Sequence, residues 1–137
     1  MIKELDIDVM AITETWLNVE NYAISVNELL PNNMKFFGRH RENGKGGGVG
    51  ICLKDSLCDS IVVNNDDKKQ SCEHLSLSLK KDNLEVKILV IYRLLTKNNF
   101  IEELDEILSE LCIGSHFVMV GTHTYMTHQK WCLIFIV

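Results

Sequence analysis

The sequence predicts an α/β fold built in layers, with mixed sheets and much antiparallel pairing. Three observations carry that prediction. Short apolar and β-branched runs recur along the chain, among them Ile7–Thr13, Val49–Lys54 and Leu84–Tyr92. Two runs, Glu73–Lys80 and Leu84–Tyr92, flank the polar turn Lys81-Asp82-Asn83 and read as an antiparallel hairpin. Between the last strands, Phe100–Cys112 places Phe100, Ile101, Leu104, Ile107, Leu108 and Leu111 at helical spacing instead.

The elements follow in order. Met1 to Leu5 reads as the last turn of a helix, which points to sequence upstream of this chain. In Ile7-Asp8-Val9-Met10-Ala11-Ile12 only Asp8 is polar, as suits a strand buried on both faces, and the strand runs to Thr13. A short helix is expected around Ser25–Leu30, ahead of Pro31. Phe36 and Phe37 start a strand to Arg39. A polar, basic, glycine-rich loop, Arg39 to Gly48, leads into the strand Val49–Lys54. Ser60–Asn64 is another short strand, and Asn64–Lys69 is a surface turn. Glu73–Lys80 alternates His74, Ser76, Ser78 and Lys80 against Leu75, Leu77 and Leu79, as a half-buried strand does. Asn98 or Asn99 caps the helix, whose wet face carries Glu102, Glu103, Asp105, Glu106 and Glu110. Gly114 ends it, and His116–Val120 is one more buried strand.

Size and composition narrow the class. At 137 residues the chain is one domain or less. Hydrophobic residues at 46% and charged residues at 24% suit a folded chain with a core. A net charge of −5 supplies no global field for nucleic acid or anionic lipid, so any polyanion contact must be local. Cys52, Cys58, Cys72, Cys112 and Cys132 are scattered without a C-x-x-C pair, which argues against a disulfide framework and a zinc site. Reduced thiols fit an intracellular setting, nuclear or cytoplasmic. Asp and Glu interrupt the first ten residues, unlike a signal peptide. The closing apolar run Trp131–Val137 is far short of the ~20 residues that cross a bilayer.

Several residues are candidates for chemistry. Glu14 directly follows a buried strand, so it stands where α/β sheets build sites; taken alone it reads as a solvated acid in a turn. The run Gly46-Gly47-Gly48-Val49-Gly50 reads as a tightly packed turn into a strand, or as a backbone cradle for phosphate. Lys35, Arg39, Arg41 and Lys45 form the one basic cluster, either a solvated loop or a contact for a nucleic-acid backbone. Tyr92 closes an apolar strand, where it can anchor the sheet or aim its hydroxyl at a phosphate, with Arg93 behind it as a phosphate partner. His116, His123 and His128 lie close in sequence but lack the partner set a metal needs.

Taken together, Ala11-Ile12-Thr13-Glu14-Thr15-Trp16-Leu17, Gly46-Gly47-Gly48-Val49-Gly50-Ile51 and Val90-Ile91-Tyr92-Arg93 resemble the endonuclease/exonuclease/phosphatase family. Among its members, the endonuclease domain of jockey-type non-LTR retrotransposons is the most similar. The ordered motifs cover roughly residues 1–124. The resemblance implies a four-layer α/β sandwich, present here in part. It implies Mg²⁺-dependent phosphodiester cleavage that nicks DNA to prime reverse transcription. By position, Glu14 corresponds to the metal-binding carboxylate and Tyr92 to the active-site tyrosine. Arg93, Arg39, Arg41 and Lys45 are the candidate phosphate or nucleic-acid contacts, read from their charge and not from the resemblance.

The departures are specific. The family's early strand with its asparagine has no counterpart here. Leu94 and Leu95 replace two prolines. Where the family has Gly-Asp-Phe-Asn, this chain has Gly121-Thr122-His123-Thr124. Threonine cannot act as a carboxylate base at neutral pH. Beyond Tyr125 the resemblance stops and the Ser-Asp-His motif is missing. The expected organisation is therefore an incomplete domain over residues 1–125 and an unrelated apolar tail over 126–137, of the kind a shifted frame or alternative exon produces. The resulting expectation is an inactive remnant of the endonuclease. The alternative is a protein- or nucleic-acid-binding module derived from it. Exposed sheet surface offers a route to self-association, and no membrane partner is expected.

Overall fold

The computed structural model describes residues 6–17, 26, 28, 30–41, 46–64, 68–94, 98–111 and 116–123. The expectations for Met1–Leu5, for most of Ser25–Leu30, for Glu42–Lys45, for Gly114 and for the tail fall outside these residues. Among the described residues the fold is α/β, with two sheets, mostly antiparallel, and one helix of any length. The first sheet contains β1 (Val9–Thr13), β2 (Met34–Arg39) and β3 (Val49–Lys54) in the order β1-β3-β2. The second contains β4 (Ser60–Asn64), β5 (Cys72–Lys81), β6 (Leu84–Arg93) and β7 (His116–His123) in the order β4-β5-β6-β7. All neighbours are antiparallel except β6 and β7, and the helix α1 (Phe100–Leu111) makes the crossover that a parallel pair requires.

Alternation along each strand decides which side chains meet. Ala11, Val49, Ile51 and Leu53 of the first sheet face Leu75, Leu77, Leu79, Ile88, Val90, Tyr92 and Val120 of the second. The outer face of the second sheet offers Cys72, Leu89 and Ile91 to Ile107 and Leu111 of α1. On the outer face of the first sheet, Met10, Met34 and Cys52 cluster with Ile7, Ile12, Leu30 and Phe36. The layers are thus helix, sheet, sheet, with apolar side chains on both faces of both sheets. Burial pushes the Cys52 thiol up to about 12. Burial, then the Glu103 carboxylate, pushes that of Cys72 to about 11. No helix among the described residues is long and apolar enough to cross a membrane.

The structure corrects several details. The first strand starts at Val9, the second at Met34, and the last continues through Gly121 to His123. β5 is not half-buried: His74, Ser76 and Ser78 are as enclosed as the leucines between them, because α1 packs on the face they share with Cys72, Leu89 and Ile91, and Asn64 of β4 donates to the Ser78 hydroxyl at 3.1 Å. Ile101 is exposed rather than part of the apolar face. Asn99 does sit at the helix start: its carbonyl accepts the first helical bond, from the Glu103 N–H at 3.2 Å.

The largest correction concerns Glu103, assigned to the wet face yet buried. Its carboxylate accepts from Ser71 N at 2.8 Å, Gln70 N at 3.0 Å, Asn99 Nδ2 at 2.9 Å and the Ser71 hydroxyl. It ties the first turn of α1 to the start of β5. Burial raises this carboxyl, but the donors from Ser71, Gln70 and Asn99 outweigh it and hold its pKa below the ordinary value. In Glu103→Gln an amide NH₂ faces backbone donors, and stability should drop by roughly 1–3 kcal/mol. Because folding lowers the Glu103 pKa, its stabilisation is complete above the unfolded-state value and fades as pH falls through the folded-state value. Urea unfolding of both forms from neutral into acid pH checks this. The wild-type advantage should shrink with falling pH, and a pH-independent advantage would contradict it.

Candidate functional site

At one end of the sandwich the β1–β3 ladder runs on past its strands. Thr15 N donates to Gly48 O at 3.3 Å and Trp16 N to Gly47 O at 2.9 Å. To follow this path Glu14 and Trp16 take φ values of 57° and 56°, a left-handed conformation uncommon for residues with side chains. Opposite them, Gly46, Gly47 and Gly48 have φ of 77°, 77° and 88°. Glycine is needed at Gly48 for a second reason, since a Cβ there would collide with the Thr15 hydroxyl.

Two carboxylates pin this glycine segment. Glu14, from the first sheet, accepts from Gly47 N at 3.0 Å. Glu73, from the second sheet, accepts from Gly48 N at 2.8 Å. The other Glu73 oxygen accepts from Arg41 Nε in a half-buried ion pair. That hydrogen bond raises the Arg41 pKa against the opposing effect of burial, and the charges of the Glu73 and Glu14 carboxylates add to it. Sequence reasoning missed Glu73. Its signal was parity, because it lies on the same side of β5 as Leu75, Leu77 and Leu79 and therefore faces the other sheet.

The second sheet adds Tyr92. It is buried in the inter-sheet core, directly across from Glu73 on β5. On its other side, register places Thr122 of β7 against Tyr92. Glu14, Arg41, Glu73 and Tyr92 therefore share one end of the sandwich. Arg39 lies at the same end, with Nη1 donating to His74 O at 3.4 Å.

Other candidates are not there. Arg93 points to the opposite face of the sheet, its guanidinium 4.9 Å from the Phe100 ring centroid, as strand alternation requires for the neighbour of Tyr92. Lys35 lies near the far end of β2 and pairs with Asp55 at 3.3 Å. Lys45 falls outside the described residues. The basic cluster of the sequence is thus divided, and its member Arg41 is held by an acid. Nor is the glycine run an open phosphate cradle: two of its N–H groups already serve carboxylates.

Neither protein-family models nor curated proteins match this chain.

The donor set does not suit Mg²⁺, which takes near-octahedral oxygen ligation. One Glu14 oxygen holds Gly47 N, and both Glu73 oxygens are taken, one of them by a cation. Among the described residues no group of three His, Cys, Asp or Glu side chains could hold a metal ion. What the arrangement does is mechanical: it fastens the glycine segment to both sheets. Two consequences can be measured by denaturant unfolding. Gly48→Ala, strained at its positive φ, should lose roughly 1–3 kcal/mol. Glu73→Ala and Arg41→Ala should be non-additive, with a coupling of roughly 0.5–3 kcal/mol. Additive losses would show that the pair does not act as a unit.

Proposed function

We propose that this chain is a catalytically inactive remnant of a retrotransposon-type, DNA-nicking endonuclease domain of the endonuclease/exonuclease/phosphatase family. The observation that carries the reading is the pairing of Tyr92 with Thr122 at the end of the sandwich that also holds Glu14. The resemblance assigns the active-site tyrosine, the catalytic aspartate and the metal carboxylate to those three positions, and they lie at one end of one fold. Threonine at the aspartate position removes the general base, a loss that typically costs ~10²–10⁴ in rate. The Mg²⁺ chemistry belongs to the family; here Glu14 and Glu73 act on backbone amides instead.

A supercoiled-plasmid nicking assay tests the proposal. The purified chain should nick no faster with Mg²⁺ than with a chelator, and Glu14→Ala should change nothing. Mg²⁺-dependent nicking that disappears in Glu14→Ala would overturn the inactive reading.

One observation favours the second reading, an interaction module. Among the described residues β4, Ser60-Ile61-Val62-Val63-Asn64, is an edge strand that exposes Val62 and Val63 and carries no charge to discourage pairing. Sedimentation analysis would separate the two readings, since a defined dimer abolished by Val62→Lys supports the module and a monomer does not.

A further inference from the structure

Among the described residues, the end of the sandwich remote from Glu14 is incompletely filled. A cavity of about 290 Å³ lies between the sheets. Val9 and Ala11 of β1, Leu79 of β5, Ile88 of β6, and Val118 and Val120 of β7 form its walls. Cys58 and Lys81 are its polar members. Lys81 and Leu84, on either side of the β5–β6 turn, are exposed and so mark the opening.

Protein interiors hold few voids larger than a water molecule, and a void with apolar walls gives water no partners. The occupant must therefore be apolar along most of its length. An apolar cavity of roughly 150 Å³ accepts benzene, so the same ratio gives this one room for about a dozen non-hydrogen atoms. Charge at the opening selects the head group. Lys35, Lys81 and Asp59 all act on the Cys58 thiol from this end. Lys35 is paired with Asp55, and Asp59 accepts from Asp82 N at 3.0 Å. Lys81 forms no ion pair among the described residues and remains available to an anion.

We propose that this cavity binds a linear alkyl carboxylate of about ten carbons, with its chain between the sheets and its carboxylate at Lys81. The site is separate from the Glu14 end. Glu73 and Lys81 stand eight residues apart on β5, roughly 26 Å of extended strand. The inference therefore does not depend on the endonuclease reading.

Titration calorimetry of the full chain with octanoate, decanoate, dodecanoate and decanol, each below its aggregation threshold, tests it. One saturable site is expected, with affinity rising about fourfold per methylene up to decanoate and levelling off beyond. Decanol should bind about fivefold more weakly than decanoate, and Lys81→Ala should bring decanoate to the level of decanol. Val118→Phe, which fills the cavity, should abolish binding while leaving the far-UV spectrum unchanged. As a check that needs no variant, decanoate should slow modification of Cys58 by a thiol reagent, read by peptide mass mapping. Absence of a saturable site, affinity that climbs steadily past ten carbons, equal binding of decanol, or unprotected Cys58 would each overturn the proposal.

Discussion

The end of the sandwich that holds Glu14 depends on two carboxylates that grip consecutive amides. Glu14 comes from the first sheet and Glu73 from the second, and they take the N–H groups of Gly47 and Gly48. Three glycines in a left-handed conformation would otherwise lose much conformational entropy on folding for little contact. A charged acceptor on a backbone N–H is among the stronger hydrogen bonds available. Here two of them fix the segment that leads into β3, the central strand of its sheet. The Arg41–Glu73 pair closes the same junction from outside, so loop, first sheet and second sheet are joined at one point.

That arrangement bears on the proposed function, because it uses acids for structure that a nuclease would need for chemistry. A metal-binding carboxylate needs free lone pairs directed at one point. Each Glu73 oxygen already accepts a hydrogen bond, and Arg41 offsets its charge. Tyr92 is buried where its ring contributes to the core, and its β7 neighbour is threonine. At this end of the sandwich the side chains present hold the protein together. A mechanical role of this kind depends on amide partners rather than on a metal.

Much of the fold was legible in the sequence, and the reason is periodicity. Alternation in Val49–Lys54, the apolar run Leu84–Tyr92 and the 3.6-residue spacing from Phe100 each report a local property, and each element is present. What escaped was non-local. Glu103 looked like a surface acid because its donors, Gln70 and Ser71, lie more than thirty residues away in sequence. The polar side of β5 looked wet because alternation cannot say that a helix packs on that face. Arg93 was grouped with Tyr92 by adjacency, although adjacent residues in a strand face opposite ways. At the site, Glu14 and Tyr92 could be singled out as residues. The role of Glu73 emerged only when the facing of the two sheets was known.

The central claim, that Glu14 and Glu73 hold the glycine segment by its amides, is tested most directly by hydrogen exchange at Gly47 and Gly48 in the native protein. Both amides should exchange slowly in the wild type. In Glu14→Ala protection should fall at Gly47, and in Glu73→Ala at Gly48, while the centre of β6 stays protected in both. Fast exchange of the two amides in the wild type, or protection unchanged by either substitution, would contradict the account.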